Sequence, residues 1–257
     1  MLKKFIKKLF NSLGYKIIKI NSFDGPDLDY ISKFLIKDKN PVVIDVGANR
    51  GESISRYKTI FQEPTIHSFE PNLSEYKKLK EKYIFDKKVI LNNKALSDKE
   101  QFKEFNINSI SGHSSFKKIV PNTKWLKKRS NSININSDKY TKEKVSINTI
   151  TLDDYITSKK IKKIDVLKID TQGYEDKVLS GAKNLIKENK IRLIQLEVIF
   201  SEIYENPLQI YDIEKILVPN NYKLVGISSG GSLITNYIFE LDFIYISNSD
   251  YEKFINS

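Results

Sequence analysis

The chain has no cysteine, which excludes disulfides, thiolate metal sites and thiol nucleophiles. That absence fits a reducing compartment. Arginine is nearly missing too: of 43 basic residues only Arg50, Arg56, Arg129 and Arg192 are arginine. A formal charge of +11 would ordinarily suggest a nucleic-acid or anionic-surface partner. Readers of nucleic acid draw on arginine forks, however, and a Lys, Asn and Ile bias is what AT-rich coding imposes on solvated positions. Nucleic acid is therefore not the expected partner. No apolar run approaches the ~20 residues needed to span a bilayer, and the first residues lack the apolar core and small-residue cleavage site of a secretory signal. A cytoplasmic protein is expected, with the inner face of the membrane as a surface it could touch.

What is present is enough for a sizeable core: 257 residues, 40% hydrophobic and 29% charged. Residues 1–40 read as an N-terminal helical segment. Within it, Leu2, Phe5, Ile6, Leu9, Phe10 and Leu13 recur at helical spacing opposite Lys3, Lys4, Lys7 and Lys8. A basic amphipathic helix over 1–13 suits either peripheral membrane contact or packing on the domain. Residues 41–257 read as one domain in which strand and helix patterns alternate, the mark of a mostly parallel sheet with helices on both faces. "KVILNNKALS" reads as one strand and "YEDKVLSGAKNLIKEN" as one helix. Between about residues 103 and 148 the alternation fails. There "EFNIN" and "KVSINTI" flank a polar, lysine-rich stretch carrying the single Trp, Trp125, which predicts a lid-like insertion.

The stretch "VVIDVGANRG" predicts a buried strand running into a glycine turn. It lacks the G-x-G-x-x-G of dinucleotide sites and the Walker pattern. A D-x-G-x-x-x-G turn suits a ligand without pyrophosphate, and S-adenosylmethionine is the ligand this favours. Glu70, ending the next strand in "HSFEP", is placed to accept both ribose hydroxyls of an adenosine. Asp170 ends the strand "DVLKID", and Glu197 ends its neighbour "LIQLE". In an open parallel sheet both face the crevice outside the carboxyl ends of the strands. A solvated loop acid or a helix cap is the ordinary alternative for each of them.

Taken together and in this order, "VVIDVGANRG", "SFEPN", "KALSD", "TLDDYI" and "KIDTQGYEDKVLSGA" resemble the FkbM family of S-adenosylmethionine-dependent methyltransferases, over roughly residues 41 to 245. The resemblance implies the class I methyltransferase (Rossmann-like) fold, a seven-stranded, mostly parallel sheet whose last strand is antiparallel. It also implies O-methylation, commonly of a sugar or secondary metabolite. Carried over by position, Asp45, Gly47, Asn49 and Gly51 line the methionine end of the cofactor, Glu70 is the ribose acid, and Ala95 to Asp98 border the adenine.

Transfer to a sugar hydroxyl gains from a positioned base, by about 10²- to 10⁴-fold. Asp170 is the first candidate and His113, in the insertion, the second; Glu197 completes the catalytic set. His67 lies mid-strand and reads as structural. Asp170 and Glu197 could share a divalent metal as hard oxygen ligands, but two carboxylates are a weak signal and no metal is expected. The expected acceptor is a sugar, a surface glycan or its nucleotide-sugar precursor. The alternatives are an RNA ribose O-methyltransferase, or a non-catalytic nucleoside-binding or membrane-peripheral module. The oligomeric state is not legible.

Overall fold

A computed structural model describes residues 10, 12–13, 28–229 and 239–255. Apart from Phe10, Ser12 and Leu13, the helix expected at 1–13 lies outside the described residues, as does the Gly and Ser turn at 230–238.

Helix α1 (Leu28–Leu35) ends before Pro41, after which the unbroken apolar run forms β1 (Val42–Val46). Then follow α2 (Glu52–Ile60), β2 (Thr65–Phe69), α3 (Leu73–Lys82) and β3 (Val89–Asn92). After a smaller sheet the pattern resumes with α5 (Leu152–Ser158), β7 (Ile164–Ile169), α6 (Glu175–Ser180), α7 (Lys183–Lys187) and β8 (Ile191–Ile199). The described chain closes with α8 (Ile210–Leu217), β9 (Tyr222–Ser229), β10 (Glu240–Ser247) and α9 (Asn248–Ile255). The main sheet has the order β3-β2-β1-β7-β8-β10-β9, with β10 antiparallel to both neighbours. This is the seven-stranded, mostly parallel sheet of the class I methyltransferase fold.

Both faces are covered. Ile44, Val46, Leu167, Ile169, Ile194 and Leu196 pack against α5 to α8. Val43, Ile66, Val166 and Leu193 pack against Leu28 of α1, Ile54 and Tyr57 of α2, and Leu79 of α3. Burial on both faces is why these strands read as continuous apolar runs rather than as alternating ones.

Two expectations are corrected. "KVILNNKALS" is not one strand: β3 stops at Asn92 and β4 (Ala95–Leu96) joins a second sheet, of order β4-β6-β5, with β5 (Gln101–Asn108) and β6 (Thr141–Ile150). The side-chain amide of Asn93 bonds the carbonyls of Glu70 and Pro71, fixing the change of direction. The single helix expected over 174–189 is two, because the Asp153 carboxylate accepts from the backbone N–H groups of Asn184 and Leu185 and starts a new helix there. Between β5 and β6 the polar stretch is ordered, with a 3₁₀ turn at Ser111–His113 and helix α4 (Lys124–Ser132) capped by Thr123.

Candidate active site

The carboxyl ends of β1, β2 and β7 meet at one rim. The chain leaving β1 turns sharply: Gly47 has φ 86°, and both its N–H and that of Ala48 bond the Phe69 carbonyl at 3.0 Å. A Cβ on Gly47 would lie 1.9 Å from the Asp170 carbonyl oxygen, so only glycine lets β1 and β7 close to this distance. Glu70 is 7% exposed. Its Oε2 accepts from the N–H of Asn49 at 2.7 Å and its Oε1 from that of Asn72 at 2.8 Å. Burial pushes its pKa up to about 7, and the two amide bonds only partly oppose this.

At the end of β7, Lys168 donates to Oδ2 of Asp170 at 3.2 Å and lies 3.7 Å from Oδ1 of Asp45. Burial alone would lower the Lys168 pKa, but Asp170 and Asp45 raise it above the ordinary lysine range. Gln172, in the left-handed region at φ 59°, donates through Nε2 to Asp170 Oδ1 at 3.1 Å and to Glu197 Oε2 at 3.0 Å. Its Oε1 lies 2.9 Å from the Tyr204 hydroxyl, whose single proton is shared between this oxygen and the His113 carbonyl. Glu175 braces the turn beneath, accepting from the N–H groups of Thr171 and Gly173. Burial, then the neighbouring Asp170 charge, pushes the Glu197 pKa well up.

The second sheet roofs this rim. Ser111 donates to the side-chain oxygen of Asn49 at 2.9 Å. On the far side Ser115 donates to the Gln172 carbonyl at 2.8 Å and the Tyr204 hydroxyl to the His113 carbonyl at 2.9 Å. Beneath the roof is a cleft between the two sheets, open to solvent. Gly47, Asn49, Glu70, Ala95 and Asp170 line it, with Phe105 and Phe116 contributed by the roof.

Other expected residues lie elsewhere. Asp45 is fully buried behind the cleft wall, accepting from Ser53 at 2.8 Å and Ser68 at 3.2 Å. Gly51 begins α2 at φ 79° and faces Leu79 and Tyr83, so it shapes the turn without lining the cleft. Asp98 is exposed and outside the cleft, its carboxylate accepting from Ser97. Glu197 stands one residue removed from the cleft, reaching it through Gln172. His113 is turned away from the lining and packed among aromatics. Its Nδ1 is 2.6 Å from the Tyr140 hydroxyl and its ring centroid 5.1 Å from that of Trp125. Burial lowers its pKa to about 4, which leaves a neutral and weakly basic ring. The mid-strand His67 is buried and bonded to Tyr155 at 2.8 Å. Among the described residues no group of three or more His, Asp or Glu is arranged to hold a metal.

Sequence reasoning missed Lys168, Gln172, Ser111 and the two roof phenylalanines. Lys168 carried a signal, as one lysine inside the apolar run "VLKID". The others carried none, because their place depends on how the insertion folds back.

This sheet order, with a glycine turn, a strand-end glutamate and a roofed cleft at the carboxyl rim, defines a S-adenosylmethionine-dependent class I methyltransferase. The model of the methyltransferase FkbM domain matches residues 45–224, and the chain belongs to that family. A 2-O-methyltransferase, NoeI of Sinorhizobium fredii, is 24% identical over 184 residues, covering 71% of this chain and 73% of its own. Among solved structures, an rRNA methylase from Streptococcus thermophilus aligns at TM-score 0.44 and 5% identity over 86% of this chain and 93% of its own. A precorrin-6y C5,15-methyltransferase from Geobacter metallireducens aligns at TM-score 0.42 and 9% identity, covering 85% of each chain.

Proposed function

We propose that the protein methylates a hydroxyl oxygen of a sugar, of a surface glycan or of its nucleotide-sugar precursor, in the cytoplasm. The residues present fit the cofactor that the family implies. Gly47 and Asn49 bring the β1 turn to the cleft wall, and each Glu70 oxygen keeps a lone pair for a ribose hydroxyl after its backbone bond. Gly47 and Asn49 would hold the methionine end, Glu70 the ribose, and Ala95, Phe105 and Phe116 the adenine. When bound, S-adenosylmethionine supplies a methyl group activated on a sulfonium sulfur.

The observation that carries the reading is Asp170. Its side chain is 34% exposed, lines the cleft, and is fixed on one oxygen by Lys168 and on the other by Gln172. A carboxylate held this way can orient an acceptor hydroxyl and take its proton. The roof formed by Ser111 and Phe116 limits water at the same place. The name of the relative, a 2-O-methyltransferase, supports an oxygen acceptor.

The test is transfer of tritiated methyl groups from S-adenosylmethionine to neutral oligosaccharides, nucleotide sugars and RNA oligonucleotides offered in parallel. Label on a sugar hydroxyl of one of the first two classes is expected. Label on RNA alone would overturn the reading.

A further inference from the structure

Asp170 is tied into a row of polar side chains buried inside the sheet. Strand register sets Ser68, Asp45, Lys168 and Gln195 side by side on β2, β1, β7 and β8, beneath α2. The Lys168 side chain is 12% exposed and that of Asp45 fully buried. Removing a lysine from water costs several kcal/mol unless the ion is well paired, and an apolar residue would pack in a parallel strand without that cost. Stability alone therefore gives no reason for a lysine here. Its two partners differ in kind: Asp45 is closed in by Ser53 and Ser68, whereas Asp170 opens onto the cleft.

The surroundings of Asp170 are otherwise acidic. Glu175 faces it from α6, Glu197 from β8, and Glu240 and Asp242 from β10. Tyr57 and Arg56 of α2 engage Gln195, one strand further along, and Tyr204 engages Gln172. Lys168 is the cation that bonds Asp170, at 3.2 Å on Oδ2, and Gln172 holds Oδ1 at 3.1 Å, so the orientation of the carboxylate depends on these two partners.

We propose that Lys168 is a positioning residue for methyl transfer: anchored on Asp45, it holds the Asp170 carboxylate turned to the cleft, while Gln172 fixes its second oxygen. The proposal rests on the reading of Asp170 as the group that meets the acceptor hydroxyl.

The test uses two cofactor analogues and no acceptor. S-adenosylhomocysteine has a neutral sulfur at the reacting position, whereas sinefungin carries an ammonium beside it, which an ionised Asp170 favours. Calorimetric titration of both ligands between pH 6 and 8 is expected to show wild-type protein preferring sinefungin, and Asp170→Asn losing that preference. Lys168→Met, which frees the carboxylate to turn away from the cleft, should lose about tenfold of the preference. Lys168→Arg should restore it. Homocysteine-analogue affinity should stay within about twofold in every variant, since the geometry of the Glu70 side is untouched. Should Lys168→Met not fold, the double variant Asp45→Asn with Lys168→Met removes both buried charges together and is titrated instead.

An unchanged or stronger sinefungin preference without the Lys168 cation would overturn the proposal while leaving the Asp170 reading intact. Equal binding of both ligands by wild-type protein at every pH would overturn the Asp170 reading, and the proposal with it.

Discussion

The two rims of the central sheet each carry a buried cation among carboxylates, and the two clusters are built differently. At the amino rim the guanidinium of Arg192 bonds Asp250 through Nε and Nη2, Asp38 and Asp165 through Nη1, and the Leu35 carbonyl through Nη2. Asp165 in turn accepts from the N–H of Val42, so that cluster is closed. At the carboxyl rim Lys168 meets one closed carboxylate, Asp45, and one that faces a cleft, Asp170. Ionic groups whose hydrogen-bonding capacity is used up hold strands together. A cluster left open on one side can act on a ligand. The rim with glycine turns and a roof is the one left open.

Breaking each cluster should give opposite results. Asp170→Asn is expected to lower turnover by about 10²- to 10⁴-fold, the contribution of a positioned base, with a smaller loss of stability than at the amino rim, because Lys168 keeps Asp45. Arg192→Met should instead cost about 3 to 5 kcal/mol of folding stability in denaturant titration, as for a buried pair that loses one partner. The folded fraction should still bind S-adenosylhomocysteine normally. Equal effects of the two substitutions on turnover and stability would erase the contrast.

Within the carboxyl rim, Glu70→Ala should weaken S-adenosylhomocysteine by about tenfold or more, through loss of charge-assisted bonds worth about 1.5 to 3 kcal/mol. Its pH dependence sharpens the point. Burial raises Glu70 to about 7 from an unfolded value of 4.5. A raised carboxyl contributes stability that is fully present below pH 4.5 and lost as pH rises through about 7. Ligand affinity should run the other way, increasing between pH 6 and 8 as the carboxylate forms, and Glu70→Gln should flatten both curves.

His113 gives a smaller effect. Its lowered pKa means that its contribution is present above pH 6.5 and lost as pH falls through about 4. His113→Asn should therefore cost about 1 kcal/mol at pH 7, measured by denaturant unfolding, with the difference shrinking in acid. Its effect on turnover should be minor. Asp98→Ala, outside the cleft, should change neither ligand binding nor folding free energy by more than about 0.5 kcal/mol.

Much of this architecture was legible because each apolar run and its bounding turn residues coincide with one element. The glycine turn at Gly47, Glu70 at the end of β2 and Asp170 at the end of β7 followed from that alternation and from the rule that crevices lie at carboxyl ends. The face on which Asp45 lies could not be read. A strand buried on both sides, such as Val42–Val46, has no polar alternation to mark its faces. His113 misled because a lone loop histidine looks the same whether it meets a ligand or packs against Tyr140 and Trp125. The division of "KVILNNKALS" was signalled by its central Asn92, Asn93 and Lys94, but the place of β4 in a second sheet depends on pairing with β6, over 50 residues away.

The most direct test is calorimetric titration of S-adenosylhomocysteine into wild-type protein, Glu70→Ala and Asp170→Asn at pH 8. The account predicts binding to wild-type protein, a loss of about tenfold or more in Glu70→Ala, and affinity within about twofold of wild type in Asp170→Asn. Failure of the wild-type protein to bind, or equal weakening in both variants, would contradict the division of the rim into a nucleoside-holding side and a proton-accepting side.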